Sequence, residues 1–123
     1  MYVFGVDIGG TGVKSGIVDE QGKIVVKSSI KTDRSRDYKE IIKDIGAQLI
    51  ALAEEAKIPM SELTGVGIGC PGAIDSARGI VDYSCNLCWK NANVASELRK
   101  YVDLPVKISN DANVAALGET KFG

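Results

Sequence analysis

The sequence predicts an α/β domain built on a mixed sheet, and three observations predict it. Three β-rich runs, Val3 to Ile8, Val13 to Val18 and Ile24 to Ile30, follow one another with only short turns between them. Apolar residues then recur at helical spacing from Tyr38 to Ala56. A further β-rich run, Leu63 to Cys70, comes after that helix and is followed by more alternation of strand and helix signals. The order is βββαβαβα, with room for one extra short strand after the fourth.

The first hairpin organises the rest. It reads Tyr-Val-Phe-Gly-Val-Asp-Ile-Gly-Gly-Thr-Gly-Val-Lys-Ser-Gly-Ile-Val-Asp over residues 2–19. Two β-rich runs meet at a short glycine-rich turn, which is a hairpin signal. Consecutive N–H groups in such a turn can converge on an anion. Glycine lets a ligand approach the main chain closely. Asp7 stands at the mouth of the turn. A carboxylate beside a phosphate makes physical sense when a cation such as Mg²⁺ lies between them. On the hairpin alone, two readings stand side by side: a phosphate-and-magnesium turn, or a tight hairpin whose Asp caps the turn.

Glu20-Gln21-Gly22-Lys23 signals the next turn, so the first three strands form an antiparallel meander. Lys31 to Arg36 is polar and reads as a loop. Asp37-x-x-Glu40 has capping-box spacing. Behind it Tyr38, Ile41, Ile42, Ile45, Leu49, Leu52, Ala53 and Ala56 form the apolar stripe of one long helix, read as core packing, that ends before Pro59. Leu63 to Cys70 then reads as a buried strand, parallel to its neighbour because it follows a crossover helix. Ala73 to Gly79 reads as a loop or turn, Ile80 to Tyr83 as a short strand, and Ser84 to Lys90 as irregular. Asn93 can cap a helix with apolar positions Val94, Leu98 and Val102. Val106 to Ser109 is the last strand, and Ala112 to Lys121 the last helix.

Bulk composition narrows the function classes. At 123 residues the chain suits one domain. Hydrophobic residues at 45% and charged residues at 25% are ordinary for a globular protein. A net charge of −1 gives no electrostatic footprint for nucleic acid or an anionic membrane. No apolar stretch approaches the ~20 residues that span a bilayer. The N-terminus shows no secretion signal. Cys70, Cys85 and Cys88 are an odd set without any histidine, so a zinc site in this chain is not expected. Thiols in a reducing cytoplasm are the default reading.

Gly67-x-Gly69-x-x-Gly72 matches the dinucleotide fingerprint in letters. Its context fails, because Pro71 and a turn follow where a helix must begin. A strand whose backbone approaches a small polar ligand at Gly72 fits better, against the alternative that the glycines only relieve crowding in the sheet. Asn110-Asp111 lies at the carboxyl end of a strand, where ligands of open α/β sheets bind. An Asp there can take a proton from a substrate hydroxyl, or it can serve as a helix N-cap.

Taken together, Asp7-Ile8-Gly9-Gly10-Thr11, Gly67-x-Gly69-x-Pro71-Gly72, Asn86-Leu87-x-Trp89, Asn110-Asp111-Ala112-Asn113 and Ala115-Ala116-Leu117-Gly118-Glu119 resemble the ROK family across the whole chain. That family holds bacterial sugar kinases, typified by glucokinase, and sugar-responsive repressors. The resemblance implies a ribonuclease-H-like, actin-like ATPase domain. It implies that Gly9, Gly10 and Thr11 line the ATP phosphates, with Lys14 in the same cofactor set and Asp7 near the Mg²⁺. It implies Asp111 as the general base on the sugar hydroxyl. Asn110, Asp111 and Gly72 would hold the sugar, with Asn86 bordering it.

Family members are longer. Their second domain carries adenosine-binding glycines, further sugar-binding residues and a His/Cys structural zinc site, none of which occurs here. Residues 1–123 therefore resemble the N-terminal domain of a two-domain ROK kinase, expected to be inactive alone. The expected partners are a small sugar and ATP, without nucleic acid or membrane, and the full-length protein is expected to be a homo-oligomer. The alternative implied by the same resemblance is a non-catalytic sugar-sensing module of a ROK-type regulator.

Overall fold

A computed structural model describes residues 1–9, 12–31, 37–70, 73–75, 80–84 and 89–109. Its centre is a five-stranded sheet in the order β3-β2-β1-β4-β8. The strands are β1 (Tyr2–Ile8), β2 (Gly12–Val18), β3 (Ile24–Lys31), β4 (Leu63–Gly69) and β8 (Val106–Ser109). β1, β2 and β3 pair antiparallel as the expected meander, while β4 lies parallel to β1 and β8 parallel to β4. This is the mixed sheet the sequence predicts, with the strand order of a ribonuclease-H-like domain.

Alternation along β1 sorts the two faces. Phe4, Val6 and Ile8 are fully buried on one face, with Val13 and Ile17 of β2 and Ile68 of β4. That face receives α1 (Tyr38–Ala56) through Ile41, Ile42, Ile45, Leu49 and Leu52. Asp37 caps the helix start, its carboxylate accepting from the Lys39 N–H. Lys57 ends it in a left-handed conformation, φ 58°, its N–H reaching back to the carbonyls of Ala53 and Glu54. The second helix, α2 (Val94–Arg99), packs against α1 on the same side. Asn93 caps it by accepting from the Ser96 N–H. Two successive crossovers stepping in the same direction across the sheet put their helices on one face when both are right-handed.

Four sequence expectations need correction. Ala73–Asp75 is a strand, β5, within the stretch expected to be a loop. Trp89–Ala92 is a strand, β7, where an irregular segment was expected. With β6 (Ile80–Ser84) these make a second, three-stranded antiparallel sheet in the order β5-β6-β7. Strands of three and four residues are too short to show a period of two, so pairing with β6 decides them. Lys31 belongs to β3, not to the following loop, because its partner Gly12 extends the ladder to that point. α2 also stops at Arg99, short of Val102, which is buried in the turn beyond it. The expected helix Ala112 to Lys121 lies outside the described residues.

Candidate active site

The first turn closes locally. The N–H of Gly9 donates to the carbonyl of Gly12 at 2.8 Å. A Cβ at Gly9 would stand 3.2 Å from that same oxygen, and a Cβ at Gly12 would stand 3.2 Å from the carbonyl of Ile30. Backbone cannot yield there as a flexible side chain could, so the turn needs residues without side chains at both ends. Gly9 therefore contributes shape, and its N–H is engaged within the protein.

Register puts the polar residues in one lateral row. Asp7 is opposite Lys14 on β2 and opposite Gly69 on β4. Lys14 is opposite Ser29 on β3, and Gly69 is opposite Ser109 on β8. Asp7, Lys14 and Ser29 lie on the face away from α1, since Val6 and Ile8 flank Asp7 and point into the core. Asp7, Gly9, Gly12, Val13, Lys14, Ser29, Ile30 and Lys31 line one open cleft of about 460 Å³.

Of the residues expected to bind cofactor, Asp7, Gly9 and Lys14 thus come together in that cleft. Gly10 and Thr11 lie outside the described residues, as do Gly72, Asn86, Asn110 and Asp111. Ser109, which directly precedes Asn110, ends β8 at the same end of the strands as Asp7. Two strand spacings separate them, roughly 10 Å. The sequence reading missed Ser29 and Lys31. Their signal was the hairpin register, which carries a residue on β2 to its partner on β3.

The chemistry of the donor set fits a phosphate-bound magnesium ion. No cluster of three His, Cys, Asp or Glu exists among the described residues. Mg²⁺ needs fewer protein ligands than that, commonly one or two carboxylates plus phosphate oxygens and water. Asp7 is half-buried and forms no hydrogen bond or ion pair with the described residues.

Cys70 follows β4 directly and is 2% exposed. Burial, and next the negative charge of Asp7, push its thiol up to about 12. It is a neutral thiol outside any disulfide, which agrees with the reading of buried cysteine. Cys85 and Cys88 lie outside the described residues. No helix among the described residues is long and apolar enough to cross a membrane.

Comparison with known proteins adds to this geometry. The ROK family model matches residues 3–123. A glucokinase of Streptomyces coelicolor is 39% identical over 119 residues, covering 97% of this chain and 35% of that protein. A xylose repressor of Caldicellulosiruptor bescii is 27% identical over 121 residues, covering 98% of this chain and 30% of the repressor. A ROK family glucokinase from Streptomyces griseus, solved with glucose and AMPPNP, superposes with a TM-score of 0.82 at 34% identity. It is covered over 37% of its length, and this chain over 100%. The chain spans about a third of the length of the curated relatives it matches. The matched span, the shared sheet and the placement of Asp7 beside a closed glycine turn all agree: the chain belongs to the ROK family and has the actin-like ATPase fold of its sugar kinases.

Proposed function

We propose that this chain is the phosphate- and sugar-binding domain of an ATP-dependent sugar kinase acting on a hexose hydroxyl, glucose to glucose 6-phosphate first among candidates. The observation that carries the reading is Asp7, held beside the closed Gly9–Gly12 turn and in register with the carboxyl ends of β4 and β8. Kinship with a glucokinase and with a glucokinase bound to glucose and AMPPNP supports it.

In this reading Gly9, Gly10 and Thr11 shape the phosphate turn and Lys14 adds positive charge beside it. Asp7 would hold Mg²⁺, which would offset negative charge on the phosphates. Asn110 and the backbone at Gly72 hold sugar hydroxyls, and Asn86 borders the sugar. Asp111 accepts the proton of the attacking hydroxyl as its oxygen bonds to the phosphoryl group and ADP departs. Positioning and charge stabilisation supply most of the acceleration.

The test is Asp111→Asn in the full-length protein. Turnover should fall by about 10²–10⁴-fold, while sugar affinity changes little. Near-normal turnover removes Asp111 from the chemistry. The 123-residue chain alone should not phosphorylate sugar, since relatives of its family are about three times as long. Robust phosphorylation by the chain alone contradicts this.

The kinship with a xylose repressor favours a second reading, a sugar-sensing module of a regulator. The full-length protein separates the two: sugar-dependent consumption of ATP belongs to the kinase, and sugar-dependent release from DNA to the regulator.

A further inference from the structure

The cleft extends past the hairpin turn onto the outermost strand. β3 is the edge of the main sheet, and it presents Lys27, Ser29 and Lys31 on the same face as Asp7 and Lys14. Lys14 lies directly across from Ser29. Lys27 and Lys31 stand two residues to either side of it, about 7 Å along the strand. Gly12, opposite Lys31, carries no side chain of its own to stand between Lys31 and the turn. All three lysines are exposed, and none makes an ion pair with another of the described residues. Among the described residues, Asp7 is the one carboxylate lining the cleft, and Lys14 stands between it and Ser29.

Three exposed ammonium groups around one hydroxyl form a ledge for an anion of several charges. Their position gives that anion a direction. Across the sheet the order runs from β8, which leads into Asp111, through β4 and β1, to the turn, and then to β2 and β3. A phosphoryl group transferred near Asp111 is followed by its leaving phosphates, and the ledge lies on the far side of the turn from that end.

We propose that Lys27, Ser29 and Lys31, with Lys14, form a subsite for the distal phosphates of a linear phosphoanhydride chain, the leaving part of the phosphoryl donor. The proposal rests on the kinase reading above. It deepens that reading by assigning donor affinity to the edge strand. Such a chain occurs both in a nucleoside triphosphate and in inorganic polyphosphate. Exposed lysines reading it act as point charges, so affinity depends on salt and on the number of phosphates.

The experiment uses the full-length protein with ATP and, separately, sodium tripolyphosphate as donor. Lys27→Ala combined with Lys31→Ala should raise the donor KM about three- to tenfold. Sugar KM and Tm should not move, and the paired Lys→Arg variants should restore donor KM. A KM effect with ATP assigns the ledge to nucleotide phosphates, and an effect confined to tripolyphosphate assigns it to the inorganic chain. Either result supports the subsite. Unchanged KM for both donors overturns it and leaves the lysines as guards of a strand edge. If the parent protein phosphorylates no sugar, the kinase reading fails by itself. Calorimetric titration with tripolyphosphate then decides the ledge: weaker binding by the double variant supports it, and equal binding overturns it.

Discussion

At the residue scale, Cys70 shows how the site edge shapes a side chain that takes no part in the chemistry. Its thiol is buried next to a carboxylate, so both its environment and its neighbour disfavour the thiolate. The folded state holds the proton up to about 12, against an ordinary value of 9.0. Stability from this group is therefore complete below pH 9 and is lost as pH rises toward 12, because only the unfolded chain releases the proton in that window. Unfolding free energy should fall there by up to about 1.4 kcal/mol per pH unit. The Cys70→Ala variant, followed by urea titration across the same range, should show a shallower fall. At neutral pH, Cys70 should resist alkylation in the folded protein and react once urea unfolds it; rapid labelling of the native protein at Cys70 contradicts its burial. The same scale separates what the sequence told from what it did not. Asp7, Gly9 and Lys14 were legible because their roles follow from neighbours in one hairpin. Ser29 and Lys31 were not, since their place in the cleft depends on pairing with residues 14 and 12 across two strands.

At the element scale, α1 was the most legible part of the chain. Its apolar period, its Asp37 cap and its stop before Pro59 all act locally. One constraint on it is not local. Gly46 faces α1's neighbour so closely that a Cβ would stand 2.7 Å from the Cβ of Tyr101. Gly46→Ala should therefore destabilise by about 1–3 kcal/mol despite the better helix propensity of alanine. Tyr101, itself 39% exposed, can be trimmed. Adding Tyr101→Gly, which removes the colliding Cβ, should recover much of the loss, and a double-mutant cycle in urea measures the coupling. Additive effects would show that the two side chains do not collide. β1 to β4 and β8 were legible from β-rich runs and turn signals. β5 and β7 were not, because three or four residues become strands only through the partner beside them.

At the scale of the whole molecule, β4 is the hinge of the architecture. It joins the β1–β2–β3 meander on one side to β8 on the other, and Ile68 at its centre is fully buried. The second sheet is tied in as well: β5 lies against β8, α2 against β6, and Ala92 at the end of β7 belongs to the main core. Ile68→Ala should cost about 2–5 kcal/mol. Loss of Trp89 fluorescence and of far-UV circular dichroism should coincide in urea, as one cooperative transition. Separate midpoints would mean that the small sheet melts independently. The register of β1 has one more consequence. Among the described residues no hydrogen bond holds the Asp7 carboxylate, and its direction comes from Val6 and Ile8 on either side, which are locked into the core. A slip by a single residue would drive the acid inward and turn two large aliphatic groups out to water. Selection for a folded protein thus fixes where position 7 points and not which residue stands there, so folding alone gives no reason for an acid to be kept at it.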